Sequence, residues 1–326
     1  MKRFRNILCV VQPHDAYKPV LERAVALAQS NQASLSVVTV HSPISLETDL
    51  SQDTFSSTEL ADNAIKAYAL ELDKLVKPYR DGLAITTKIL TGTPFLEIIR
   101  EVMRSGHDLV LASPEPQDWF DRLFSSDDMH LLRKCPCPLW FVKTDETRSY
   151  RRILAAVDVA DNYPPEELQA RHALNRSILE MASSLALAEL AELHIVHAWE
   201  AFGESAMRGV FLRTSEDKLD AYVEQVRQQH AVRLDSLLEE MATALGAEAM
   251  DYLKPQHHLI KGRPRREIPV LVKSLAADLL VMGTVARTGI PGFIMGNTAE
   301  TILNQIDCSV LALKPPGFIT PVTLPE

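Results

Sequence analysis

Short apolar runs alternate with stretches of helical periodicity along most of the chain. Residues 6–11 (NILCVV), 35–40 (LSVVTV), 83–90 (LAITTKIL), 108–112 (DLVLA) and 139–142 (LWFV) predict five strands. Residues 18–29 carry Val20, Leu21, Ala24, Val25, Leu27 and Ala28 at helical spacing, and 60–76, 95–104 and 127–133 continue the helical pattern. Residues 42–57 are polar and read as a loop. Thr91-Gly92-Thr93-Pro94 reads as a turn with Pro94 at a helix start. Strands alternating with helices predict a doubly wound, parallel α/β sheet.

A polar linker at 144–150 follows, and the pattern then repeats. Phe4-Arg5-Asn6-Ile7-Leu8 corresponds to Tyr150-Arg151-Arg152-Ile153-Leu154, and Gly92-Thr93-Pro94 to Gly262-Arg263-Pro264. Likewise His107-Asp108-Leu109-Val110 corresponds to Ala277-Asp278-Leu279-Leu280, and Cys137-Pro138-Leu139 to Cys308-Ser309-Val310. The matches occur in order and respect the predicted elements, which marks an internal duplication. The domains expected are 1–144 and 150–315, with a C-terminal tail at 316–326. The second half differs mainly between its second strand (193–198) and its long helix (216–244), where Phe202, Met207, Phe211 and Leu212 stand in an inserted loop. Those residues suit either an apolar pocket or lid, or simple packing against the sheet.

The 326 residues agree with two domains of roughly 150 residues each. A net charge of −9 argues against a general nucleic-acid or anionic-membrane surface, and no apolar run reaches the ~20 residues of a membrane span. Cys9, Cys135, Cys137 and Cys308 read as reduced structural thiols, because Cys135-Pro136-Cys137 lacks the C-x-x-C spacing of redox and zinc sites. His194 and His197 face opposite ways on one strand, as do His257 and His258, so neither pair suits a shared metal. Lys261, Arg263, Arg265 and Arg266 form a basic run. It suits an anionic partner or a solvated first helical turn, although arginines there oppose the helix dipole.

The most suggestive stretch is 281–297, VMGTVARTGIPGFIMGN. An apolar strand end, Gly283, a loop with Gly289 and Gly292, and Gly296-Asn297-Thr298 before a helix make either an anion cradle or a plain connecting loop. This arrangement, the G-x-P turns, His130-Leu131-Leu132-Arg133-Lys134-Cys135-Pro136, Arg287-Thr288-Gly289-Ile290 and Gly296-Asn297-Thr298-Ala299-Glu300 resemble the tandem universal stress proteins of Gram-negative bacteria, closest to their E-type. The resemblance spans nearly the whole chain. It implies two Rossmann-like, adenine nucleotide alpha hydrolase-like sheets of strand order 3-2-1-4-5, paired through their last strands. It also implies a cytoplasmic stress-response role. The sequence supplies no clear general base or Walker-type lysine, so the chain reads as non-catalytic, and whether two chains pair into a homodimer stays open.

Nucleotide-binding members carry G-x2-G-x9-G-[S/T]. Here Gly283-x2-Ala286-x9-Gly296-Asn297 keeps the spacing and departs at Ala286 and Asn297. The resemblance places ATP, with magnesium, on Asp158, Gly283, Ala286, Gly296 and Asn297. Thr298 supplies a hydroxyl, Ala198 frames the base, and Arg287 approaches a phosphate or points to solvent. In the first half, Gln12 stands in place of Asp158. The corresponding loop, 112–121, has no glycine and three acidic residues, so that domain reads as degenerate. Two other readings are an apolar-ligand or partner-protein scaffold and a slow nucleotide hydrolase.

Overall fold

The computed structural model describes residues 4–12, 17–41, 57–114 (backbone alone for 57–62), 124–143, 149–208, 215–284 and 296–325. The first half contains β1 (Asn6–Val10), α1 (Lys18–Asn31), β2 (Ser34–His41), α2 (Ser57–Val76), β3 (Ile85–Thr91), α3 (Pro94–Ser105), β4 (Leu109–Ala112), α4 (Ser126–Lys134) and β5 (Leu139–Phe141). The second half repeats the order with β6 (Arg152–Ala156), α5 (Pro165–Glu189), β7 (Glu192–Trp199), α6 (Glu204–Met207), α7 (Glu216–Leu245), α8 (Ala247–Leu253), β8 (Gln256–Lys261), α9 (Pro264–Leu275), β9 (Leu279–Gly283), α10 (Asn297–Leu303) and β10 (Ser309–Leu313).

The ten strands among the described residues form one sheet of order β3-β2-β1-β4-β5-β10-β9-β6-β7-β8. Within each half every pair is parallel, in the order 3-2-1-4-5. The halves join where β5 meets β10 antiparallel, with Leu311 opposite Trp140. Strands β4, β5 and β10 are buried along their whole length, as parallel strands covered on both faces must be. The outer strands β3 and β8 are half-exposed and lie at the two edges.

Two apolar layers cover the sheet, and each runs through both halves. One joins α1, α2, α5 and α7 through Leu21, Leu72, Trp140, Leu179, Leu237 and Leu311. The other joins α3, α4, α9 and α10 through Ile99, Leu132, Phe141, Val272, Leu303 and Val310. The G-x-P turns are superposable in role. Gly92 and Gly262 adopt φ of 141° and 142°, and their amides donate to His41 O and Trp199 O at 2.9 and 2.8 Å. A Cβ at Gly262 would lie 2.6 Å from Glu267 Cγ, so only glycine both reaches that φ and clears the helix it introduces.

The lysine after each last strand crosses to the other half. Lys143 Nζ pairs with Asp307 at 3.0 Å, and Lys314 Nζ donates to the carbonyls that end α4. No helix among the described residues is long and apolar enough to cross a membrane.

Candidate functional site

The sheet order leaves a crevice at the carboxyl ends of β6 and β9, where successive connections leave in opposite directions. Asp158 lies just past β6 with its side chain 42% exposed, and it is heavily engaged. Arg171 Nη1 and the Tyr163 hydroxyl donate to Oδ2 at 2.8 and 3.0 Å, and the Ala160 amide donates to Oδ1 at 3.1 Å. The Asn175 amide clamps the same residue's backbone, donating to Asp158 O at 2.7 Å and accepting from Asp158 N at 3.0 Å. The Arg171 guanidinium also lies 3.4 Å over the Tyr163 ring. Burial, then the Asp158 charge, pushes the Tyr163 phenol up to about 12, so it stays protonated and donates. Asp158 is thus an ion-paired carboxylate held in place, and it shares Arg171 with Glu167 at 3.7 Å.

Beside it is a hollow of about 290 Å³ lined by Asp158, Asp161, Arg171, His172, Asn175 and Arg233. Its second arginine, Arg233, is paired with Asp161.

Gly283 ends β9. A Cβ there would lie 2.6 Å from Leu174 Cδ2, the end of a core side chain on α5. Thr284 follows, buried, and its carbonyl accepts from the Gly296 amide at 3.3 Å, so the glycine loop starts and ends at one point. Ala286 and Arg287 fall within 285–295, outside the described residues. Gly296 is the N-cap of α10 with no side-chain cap bond, and Asn297 and Thr298 are exposed on the first turn. Ala198 is buried in β7, paired with Ile260 of β8. The site residues that are described therefore ring the ends of β6, β7 and β9.

In the first half the Thr39 hydroxyl donates to Gln12 Oε1 at 3.3 Å; residues 115–121 of the corresponding loop are outside the described residues.

Two histidine pairs flank β7, and spacing did not predict either. His194, 3% exposed, has Nδ1 3.0 Å from His258 Nε2. His197, 1% exposed, has Nε2 2.9 Å from His230 Nδ1 of α7, and His230 stacks on Trp199. His197 Nδ1 lies 3.2 Å from Val157 O. Donation to that carbonyl leaves Nε2 to accept from His230. Burial holds both His197 and His230 below their ordinary value of 6.5; Asp158 pulls His197 back up, and His197 and Arg233 press His230 further down.

The unfolded chain takes up protons below pH 6.5 that the folded pair refuses. Stability is therefore present above 6.5 and lost as pH falls below it. Urea unfolding of wild type across that range should show an acid loss on the order of 1 kcal/mol that His230→Gln reduces but does not abolish, because burial still holds His197 below its ordinary value. An equal loss in the variant would show that other groups carry it.

Three expectations are corrected or explained. Phe202 of the inserted loop is 91% exposed, so it packs against nothing of the sheet; Phe211 and Leu212 lie outside the described residues. The basic run is largely paired: Lys261 with Glu204 at 2.7 Å, Arg263 with Glu200 at 3.2 Å and Arg266 with Glu267 at 3.9 Å. Those carboxylates explain how arginines are tolerated at the start of α9. An apolar cavity of about 510 Å³ does exist, but between α1, α5 and α7, lined by Leu27, Leu179, Leu185, Leu237, Met241 and Leu245.

Known proteins agree with this architecture. The universal stress protein family profile matches residues 3–143 and again 149–314. Universal stress protein E of Escherichia coli K12 is 30% identical over 331 residues, covering all of this chain and 99% of the relative. A solved protein of unknown function from Pseudomonas aeruginosa PAO1 superposes with a TM-score of 0.67 at 26% identity, over 96% of this chain and 94% of that one. A universal stress protein from Archaeoglobus fulgidus, at 18% identity and a TM-score of 0.58 over 95% of this chain and 98% of that one, shares the fold. With two copies of the domain matched along nearly its entire length, the chain belongs to the universal stress protein family.

Proposed function

We propose that the second domain is a non-catalytic binding module for ATP or a related nucleotide, seated at the crevice between β6 and β9. The observation that carries this reading is the convergence of Asp158, the Thr284–Gly296 closure and the exposed Asn297 and Thr298 on one end of the sheet. In this reading Gly296, Asn297 and Thr298 meet the phosphates, with Ala286 and Arg287 contributing from the loop and magnesium bridging. Ala198 frames the base. Asp158, already paired with Arg171, orients the base edge without adding net repulsion.

Equilibrium binding of labelled ATP tests it. Saturable binding is expected with magnesium present, weakened at least about tenfold by Asn297→Asp, which sets a negative charge beside the phosphates. No saturable binding at millimolar nucleotide sinks the reading. ATP turnover that co-purifies with the protein and disappears in Gly296→Asp would replace it with a hydrolase. A cytoplasmic role in the stress response and pairing of two copies belong to the same reading; light scattering checks the pairing.

The cavity between α1, α5 and α7 favours a second reading, an apolar-ligand scaffold, because its walls are mostly leucine, methionine and alanine, with Arg176, Glu180 and Glu240 among its polar lining. Native mass spectrometry of the protein as purified separates the two: a nucleotide mass supports the first, a lipid-like mass the second.

A further inference from the structure

Helix α4 ends at Cys135, whose amide donates to Leu131 O at 2.9 Å while its ψ of 127° turns the chain out of the helix. Pro136 fixes the next step, and Cys137 follows. In an extended segment, side chains two apart share a face but stand well separated. The bend at Pro136 and Cys137 brings these two together: Cys135 Sγ lies 3.7 Å from Cys137 Sγ. A disulfide would shorten that separation to about 2 Å. Both thiols are buried, Cys137 at 8% exposure being the more open.

A cation stands beside them. Lys314 Nζ donates to Leu132 O, to Arg133 O at 3.4 Å and to Thr284 Oγ1 at 2.7 Å, and its charge acts on both thiols. Burial pulls this ammonium down to about 7, so near neutrality the cluster holds a proton acceptor as well as a cation. The hydrogen bond from Cys137 holds the Cys135 thiol below its ordinary value against burial, with Lys314 adding to the effect. The same bond and burial hold Cys137 well above. The two thiols titrate as a pair, and Cys135, which closely follows the carbonyls that hold Lys314, is the sulfur taken as the nucleophile. Cys9 is the contrast: buried with no cation acting on it, its thiol is pushed far up.

We propose that Cys135 and Cys137 are a redox-active dithiol that is oxidised by hydrogen peroxide to an intrachain disulfide. The Cys135 thiolate attacks one peroxide oxygen and the O–O bond breaks. Cys135 becomes a sulfenic acid, and the second oxygen leaves as hydroxide and takes up the proton Cys135 gave to Lys314. Cys137 Sγ then attacks Cys135 Sγ, the S–O bond breaks, and that oxygen leaves as water with the proton of Cys137. Two thiols lose two electrons and two protons, and one peroxide becomes two waters. Lys314 bonds Thr284 at the foot of the glycine loop, so the oxidation state of α4's end is set directly against that loop. The chemistry does not depend on what the loop binds.

The reduced, full-length protein is exposed to hydrogen peroxide, quenched with a maleimide in denaturant, digested and analysed by mass spectrometry. The 135–137 peptide is expected to be lighter by two hydrogens and unlabelled, while the Cys9 and Cys308 peptides take up maleimide. Cys137→Ser should stop at a sulfenic acid on Cys135 that dimedone captures, and Cys135→Ser should leave Cys137 reduced. Serine is nearly isosteric, and thermal melts check that both variants fold. Lys314→Met, where folded, should slow disulfide formation at least about tenfold. Full labelling of both thiols after native exposure overturns the proposal. So does oxidation only in denaturant, or oxidation of Cys9 and Cys308 as fast as the pair.

Discussion

Arg23→Met is expected to destabilise the protein by about 3 kcal/mol, on the scale of breaking a buried ion pair. Arg23 on α1 meets Glu189 at the end of α5 at 2.5 Å, with the two side chains 8% and 15% exposed. The guanidinium also lies 3.9 Å over the Tyr150 ring and 5.4 Å over Trp140, whose Nε1 donates to the Tyr150 hydroxyl at 3.1 Å. Glu189 Oε2 accepts from the Tyr150 amide at 2.9 Å. Without the arginine, a carboxylate stays among aromatic rings with that amide as its remaining named donor. Arg23→Met with Glu189→Leu should recover most of the loss, because the charge and its desolvation leave together. Urea midpoints followed through the buried Trp140 measure both. A loss below ~1 kcal/mol in the single variant would reduce the pair to a surface ion pair in energetic terms.

Gly283→Val should cost about 2–3 kcal/mol, by overpacking rather than by backbone strain. A Cβ at 2.6 Å from Leu174 Cδ2 and 3.3 Å from Cγ forces α5 or its leucine to move. The same contact makes a sharper double-mutant test. Leu174→Ala alone should cost about 2–5 kcal/mol through the cavity it leaves. Adding Gly283→Ala should return part of that, since the new methyl enters the vacated space. Simple additivity of the two would show that Leu174 has room to step aside. The experiment also separates two reasons for a glycine at the head of the loop. A destabilised variant that still binds nucleotide assigns Gly283 to packing, and a stable one that does not assigns it to the ligand.

Much of the fold was legible because its signals are local. The buried strands read as unbroken apolar runs, since parallel strands covered on both faces need no polar side. Repeated residues such as Gly92-Thr93-Pro94 and Gly262-Arg263-Pro264 marked the duplication, and both turns have the same backbone conformation. The pairing of β5 with β10 came from the family resemblance rather than from any local pattern, and its antiparallel sense came only with the structure.

What stayed hidden depends on pairs far apart in sequence. Arg23 and Glu189 are separated by 166 residues, His197 and His230 by 33, and neither partner has a spacing that points to the other. Asp158 lies just past β6, as expected, but Arg171 and Tyr163, which bond its carboxylate, lie on and before α5, a helix not itself delineated among the elements expected of the sequence. Cys135 and Cys137 were set aside on spacing alone, and a bend that spacing cannot show brings them together.

The antiparallel join has a consequence for behaviour at low abundance. A pair of separate chains associating through that edge would come apart on dilution, since each encounter depends on protein concentration. Here the partner edge is on the same chain, at an effective concentration on the order of millimolar that dilution does not change. The ten-stranded unit therefore holds together at any copy number. It also uses up both inner edges, so a further copy of the chain must attach elsewhere.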